Sequence, residues 1–333
     1  PANSLLLYEV FTNATIVVGY NFPTRVFASN AFNSAEVEVV VDAAGYGHTT
    51  DPLQALSYLP SSGGKIRIRP GTYTFTSQWT INKKINLEFE PGANFVMTSD
   101  LGYSANFSSG YFINLVAGSE GSILNNVKLT GNDTLFYGAY YIFGVRLNPK
   151  VSLINPDIRD FRGQGIVMCL GSLIQNGFIK QSTIGGFSVT LNTTGTVTDG
   201  YTIIGTTIET GGLSLFNSVG ASVQLTNITG VSLACSGAKA QITGCAFSGD
   251  ITLSNLTNSN ISNCYNGGTM TLQAAVTQVL DNISVTGNVV VGALNIYNSS
   301  GGTRGPIMLT GNKAASFSVE PLVNQKEAGN SWN

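Results

Sequence analysis

The segment Asn155-Pro156-Asp157-Ile158-Arg159-Asp160-Phe161-Arg162-Gly163-Gln164-Gly165 brings two carboxylates and two guanidiniums close together in the chain. Two acids facing one sugar can hydrolyse a glycosidic bond, with retention at a separation of about 5–5.5 Å and inversion at about 6.5–9.5 Å. Asp157 and Asp160 are therefore the candidate catalytic pair, and Arg159 and Arg162 carry planar forks suited to acidic sugar groups. The same residues also describe a solvated, ion-paired corner without chemistry, because surface pairs of this kind are common and weak. Tyr137, Tyr140 and Tyr141, with Phe136, Phe143 and the earlier Tyr103, Phe107 and Tyr111, form an aromatic-rich stretch. Flat rings with hydroxyl handles suit sugar stacking, which makes the three tyrosines candidate ligand-binding residues. Packing beneath a loop or against a second subunit uses the same property.

Other chemistry has less support. His48 is the sole histidine and has no neighbouring Ser, Cys or carboxylate pattern that would make it a base, so it reads as a turn residue. Cys169, Cys235, Cys245 and Cys264 show neither CxxC pairing nor a histidine cluster, so they read as buried thiols. Runs of Gly and Asp at the short spacing of calcium-binding coils do not occur, and neither a metal nor a cofactor is expected.

Composition bounds the partners. Charged residues make up only 10% of the 333-residue chain against 43% hydrophobic, so its polarity comes from Asn, Ser, Thr and Gly. A net charge of -2 with scattered basic residues gives no footprint for nucleic acid. Apolar runs such as Val37 to Val41 are of strand length, too short to cross a bilayer, so membrane insertion is not expected. The opening Pro1-Ala2-Asn3 lacks the pattern of a secretory signal, which leads to the expectation of synthesis in a host cytoplasm.

The elements that must position these residues announce themselves by repetition. Leu213-Ser-Leu215, Val231-Ser-Leu233, Ile251-Thr-Leu253 and Met270-Thr-Leu272 recur at a step near nineteen residues. A second set keeps the same step: Leu225-Thr-Asn-Ile228, Ile242-Thr-Gly-Cys245, Ile261-Ser-Asn-Cys264 and Leu280-Asp-Asn-Ile283. Two strand motifs at one period imply a coiled sheet whose turns stack about 4.8 Å apart. One rung alone cannot bury its apolar face, so neighbouring rungs must complete the core. Ile228, Cys245, Cys264 and Ile283 are then expected to form one inward stack. Asn227, Gly244, Asn263 and Asn282 should sit where the chain bends, since Asn and Gly tolerate the left-handed conformation. The Thr-Gly-Asn triplets at 130–132, 286–288 and 310–312 carry turn chemistry that should end rungs. Upstream, Ile66 and Ile68 precede Ile85 and Leu87 by the same step. The reading is thus all-β: a small β cap or docking arm at 1–38, a parallel β-helix at 39–302 with rungs of about nineteen residues or longer, and a C-terminal cap or tail at 303–333.

From Val39 the chain runs Val-Val-Val-Asp42-Ala-Ala-Gly45-Tyr-Gly-His48-Thr-Thr-Asp51-Pro52, then Gly63-Gly64-Lys-Ile-Arg-Ile-Arg-Pro70-Gly71-Thr72-Tyr73-Thr-Phe75. This resembles the opening of the pectate-lyase-like right-handed parallel β-helices, phage tailspikes included. The resemblance covers about forty residues and implies a short helix from Asp51 to Leu59 that plugs the coil, with Asp51 as its N-cap and Pro52 at its first position. Pro52 stands where such chains usually carry a second acid. The segment from Asn155 to Gly165 also faintly resembles the Asn-x-Asp and Gly-x-Gly elements of polygalacturonases, yet Gln164 replaces their histidine and their paired Asp motif is missing. Proteins resembling these include polysaccharide hydrolases and lyases as well as proteins that only bind, so fold does not fix function. The reading that follows is a virion protein, a phage spike or tail fibre. It would bind a cell-surface polysaccharide, assemble as a homotrimer that covers uncharged surface, and dock other virion proteins through residues 1–38. Its rivals are a polysaccharide depolymerase, and a purely structural virion component or surface adhesin.

Overall fold

The computed structural model describes residues 8–11, 14–17, 37–99, 109–132, 141–161, 165–169, 171–181, 187–191, 200–215, 222–236, 239–274, 279–298, 303–319 and 325–332. The chain is a right-handed parallel β-helix. Its strands are short and alternate apolar with polar residues, as in Ala93–Met97, where Ala93, Phe95 and Met97 are buried and the residues between them are half-buried. That alternation turns one face into a common core and leaves the other outside.

Each rung crosses three parallel ladders in the same order. The first ladder opens with Glu38–Val41, Gly64–Ile68 and Ile85–Phe89 and closes with Ile307–Thr310 and Gln325–Ala328. The second runs from Gly71–Phe75 and Ala93–Met97 to Ser331–Trp332, and the third from Trp79–Ile81 and Ser109–Leu115 to Lys313–Val319. The coil therefore starts at Glu38, and strands beyond residue 302 continue all three ladders. Within 1–38, Tyr8–Phe11 pairs antiparallel with Ala14–Val17.

The bend between the first and second ladders is one column of left-handed residues. Asn126, Asn155, Asn176, Gly205, Asn227, Gly244, Asn263, Gly287, Gly311 and Gly329 have φ between 50° and 64° and fall one per rung. Only Asn and Gly occupy it, because other side chains clash with the following carbonyl in this conformation. The expected positions Asn227, Gly244 and Asn263 lie in this column. Asn282, though also left-handed at φ 52°, belongs elsewhere: it stacks on Asn258, whose Oδ1 accepts from its Nδ2 at 2.7 Å.

Register departs from the sequence alignment at three points. Ile66 pairs with Leu87 and Ile68 with Phe89, so that step is two residues longer than expected. Leu213 pairs with Leu233 and Leu215 with Cys235, whereas the alignment had set Val231 and Leu233 there. Both slips are of two residues, which an alternation pattern cannot see; in the second, Cys235 takes the inward place expected of Val231, which lies in the bend before the strand. The third departure is a change of period: Ile261 pairs with Val285, so Cys264 is followed in its column by Asn288. Ile283 is buried as expected, but opposite Ser259 and outside the Ile228–Cys245–Cys264 column. At 286–288 and 310–312 the triplets turn rungs as expected, and their asparagines face inward, fully buried.

Those asparagines form a ladder inside the corner. The backbone N–H of Cys264 donates to Asn288 Oδ1 at 2.9 Å, that of Asn288 to Asn312 Oδ1 at 3.1 Å, and that of Asn312 to Asn330 Oδ1 at 2.9 Å. Each side-chain amide also donates to a carbonyl of the preceding rung, Ile261, Val285 and Leu309 in turn. Buried amides are tolerated because their polar atoms find partners.

The opening of the coil follows expectation. Pro52–Tyr58 forms a single helix of 3₁₀ type, and the Asp51 side chain accepts from Leu53 N at 2.9 Å. Lys83 closes the other end by donating to the Leu56 and Leu59 carbonyls at 2.8 and 2.7 Å. His48 is a turn residue whose Nδ1 accepts from Val40 N at 2.9 Å. Gly63 is obligatory, since a Cβ there would fall 1.6 Å from the Lys84 carbonyl oxygen.

Candidate functional site

Of the candidate residues, Asp157, Arg159 and Asp160 lie on the second-ladder strand that leads into the corner between the second and third ladders. Segments 100–108, 133–140, 162–164 and 182–186 all connect a second-ladder strand to a third-ladder strand, in four successive rungs. Insertions at one corner of a solenoid build one surface.

On the second-ladder side stands Asp157–Phe161. Asp157 pairs in register with Lys128 below and Phe178 above, and its Oδ1 accepts from Arg159 Nε. This bond, above all, holds the Arg159 guanidinium above its ordinary pKa, although burial works against it. The guanidinium also lies 4.6 Å from the Phe178 ring centroid, a cation–π contact. One rung on, Lys180 Nζ sits 3.2 Å from Glu209 Oε1. Asp160 is different in kind. It is left-handed at φ 60° and occupies a register shift between Arg159 and Phe161, which returns Phe161 to the core at 1% exposure. Gly131 runs so close beneath that a Cβ there would lie 2.5 Å from the Asp160 carbonyl oxygen.

On the third-ladder side, Tyr111 and Phe143 are register partners with ring centroids 5.4 Å apart. Arg146 Cζ lies 5.5 Å from the Tyr111 ring centroid, and Arg146 is in register with Asn114. All four side chains are half-buried. Tyr141 begins the strand Tyr141–Arg146, but its side chain, like residues Tyr137, Tyr140 and Arg162, lies outside the described residues.

The structure thus joins Asp157 to Arg159 and gives Asp160 a backbone task. Phe178, Lys180 and Arg146 were not legible as site residues, since each gains its meaning from a partner on another rung. Their only sequence signal is an aromatic or cationic residue at an outward position of a strand. The thiols stay out of the chemistry: Cys235 is pushed up to about 12 by burial, and contact with the Cys264 thiol together with burial raises Cys245. Among the described residues no group of three or more metal-ligating side chains gathers.

Ion pairs and two cation–aromatic contacts thus flank this corner of a right-handed parallel β-helix. No family model matches the chain, and no curated protein matches it in sequence. Solved structures share its fold. The catalytic domain of a GH87 α-1,3-glucanase in complex with nigerose matches with a TM-score of 0.50 at 14% identity, over 92% of this chain and 71% of that one. Geobacillus virus E2 ORF18 gives 0.42 at 15% identity, over 88% of this chain and 60% of that one. The Dettilon tailspike protein gives 0.43 at 13% identity, over 80% of this chain and 60% of that one. At these identities the likeness is one of fold. The chain spans about three fifths of the length of the two viral chains. Among the described residues no helix is long and apolar enough to cross a membrane.

Proposed function

We propose that this chain is the glycan-binding shaft of a virion spike or tail fibre, and that a cell-surface polysaccharide lies along the corner between its second and third ladders. The observation that carries the reading is that two cation–aromatic pairs, Arg159 on Phe178 and Arg146 on Tyr111, stand on the second- and third-ladder strands that flank that corner. Rings and planar cations together bind sugars by stacking and by directed hydrogen bonds. Residues 137, 140, 141 and 162 belong to the same corner in sequence and are proposed as further contacts. Three copies would assemble side by side, covering neutral outer faces such as that bearing Thr226, Thr243, Ser262, Thr286 and Thr310, with residues 1–38 docking to other virion proteins.

Binding is favoured over hydrolysis because Asp157 is engaged by Arg159 and Asp160 serves a bulge. A depolymerase would work through Asp157 and Asp160, and incubation with capsular polysaccharides would release new reducing ends or unsaturated uronates that Asp160→Asn abolishes. The expected result is retention of an intact polysaccharide on immobilised protein, lost in the Phe178→Ala, Tyr111→Ala double variant. Light scattering should give three times 35.0 kDa. A monomer in solution would remove the spike reading, and retention unchanged in the double variant would remove the corner.

A further inference from the structure

We infer that the third-ladder side of this corner recognises the carboxylate of an acidic sugar, with Arg146 as the anion clamp and Tyr111 and Phe143 as the platform beneath the ring. The assignment rests on the glycan-binding reading and adds the charge of the sugar and the residues that sense it.

Among the arginines whose side chains are described, three have carboxylate partners: Arg67 on Glu38, Arg69 on Asp42 and Arg159 on Asp157. Lys180 is matched by Glu209. Arg146 has no carboxylate partner among the described residues and rests instead on the Tyr111 ring. Among the described arginines it is the one held by a ring and not by a carboxylate. The Tyr111 ring, 5.5 Å from Arg146 Cζ, contacts the guanidinium without offering its N–H groups an acceptor carboxylate, and a planar anion fits those groups by two parallel hydrogen bonds. Phe143 stands beside Tyr111 with its ring tilted 45°, both half-buried, so a sugar ring seated there would bring a carboxylate substituent to the guanidinium edge. Asn114, in register with Arg146, has a buried side-chain oxygen with no hydrogen-bond partner, an acceptor wanting a donor at the same spot. A neutral sugar would use the rings alone.

The test is an array bearing uronate and sialate oligosaccharides, each beside its carboxyl-reduced neutral counterpart, probed with the full chain and with Arg146→Gln, Arg146→Lys and Phe143→Ala. Circular dichroism and solution mass first establish that each variant folds and assembles as the parent does. The parent should bind an acidic member about ten- to a hundredfold more tightly than its reduced form, the span of a charge-assisted hydrogen bond. Arg146→Gln should equalise the two, Arg146→Lys should keep part of the preference, and Phe143→Ala should weaken both forms alike. Added salt should erode the preference and leave the residual neutral binding. Equal binding of acidic and reduced forms by the parent, or an undiminished preference in Arg146→Gln, overturns the clamp while glycan binding stands. Failure to retain any sugar overturns both.

Discussion

The rungs between Glu38 and Met97 and those between Ser222 and Trp332 share the same three ladders but fill them with different chemistry. At the N-terminal end the core is aromatic: Tyr73, Phe75, Trp79, Phe89 and Phe95 pack with ring centroids 4.5 to 6.5 Å apart. The outside of the first ladder there is woven by ion pairs, Lys65 with Glu88 at 2.6 Å and Arg67 with Glu38 at 3.0 Å and Glu90 at 3.6 Å. At the C-terminal end the core is aliphatic but for Phe247, with buried Cys and Asn, and the outward column is hydroxyls, with Thr243 and Ser262 oxygens 3.2 Å apart. The difference teaches that the coil is dictated by the alternation, which both ends share, while the column of left-handed Asn and Gly begins only at Asn126, beyond the aromatic rungs. What fills the core is open to choice, provided that polar atoms are matched.

The largest blow to this comparison should come from the aromatic end. Phe95→Ala, which removes the ring touching Tyr73, Phe75, Trp79 and Phe89, should cost about 3–5 kcal/mol in denaturant unfolding. A loss below that of an aliphatic truncation such as Leu272→Ala would contradict the aromatic core's leading role. Next is Asn312→Ala, which strips the Asn288 N–H of its acceptor in the core and should cost about 1–3 kcal/mol. Cys245→Val, in the same column but without such a ladder, should cost under about 1.5 kcal/mol. Equal losses in the two would make the amide ladder incidental. The bend itself is probed by Gly287: Val should lose about 1–3 kcal/mol through backbone strain, while Asn, already at home at 126, 155, 176, 227 and 263, should come close to the parent in thermal melts.

The smallest effect is the pH response of the ion-paired face. Its hydrogen bond to Glu88 raises the Lys65 pKa in the folded chain, with burial opposing. A raised lysine stabilises fully below the unfolded value near 10.4 and stops contributing as pH climbs through the folded value. Melting temperature should therefore fall slightly above about pH 10 in the parent and less in Lys65→Met, and 1 M salt should shrink the difference.

Much of the coil was legible because the bend is written in residue type: Asn227, Gly244 and Asn263 carry it openly. Register was legible only modulo two, since Leu233 and Cys235, or Leu213 and Leu215, face the same way and differ only in which neighbour lies above. The lengthened rung between Cys264 and Asn288 was hidden because Leu280-Asp-Asn-Ile283 imitates the motif while serving a second left-handed column with Asn258. At the candidate site, Asp157 and Arg159 were found through proximity in the chain. Arg146 was missed because its partner Tyr111 belongs to the preceding rung, a proximity only the ladder creates.

One feature of the C-terminal core makes it a reporter. Cys235, Cys245 and Cys264 are sealed in the interior at 0–2% exposure, with Cys235 and Cys245 held as protonated thiols, so an alkylating reagent cannot reach them while the rungs remain stacked. Their labelling rate is then a clock for unwinding of the C-terminal half alone. Read by mass on tryptic peptides, it would time the fraying of that half without any engineered probe.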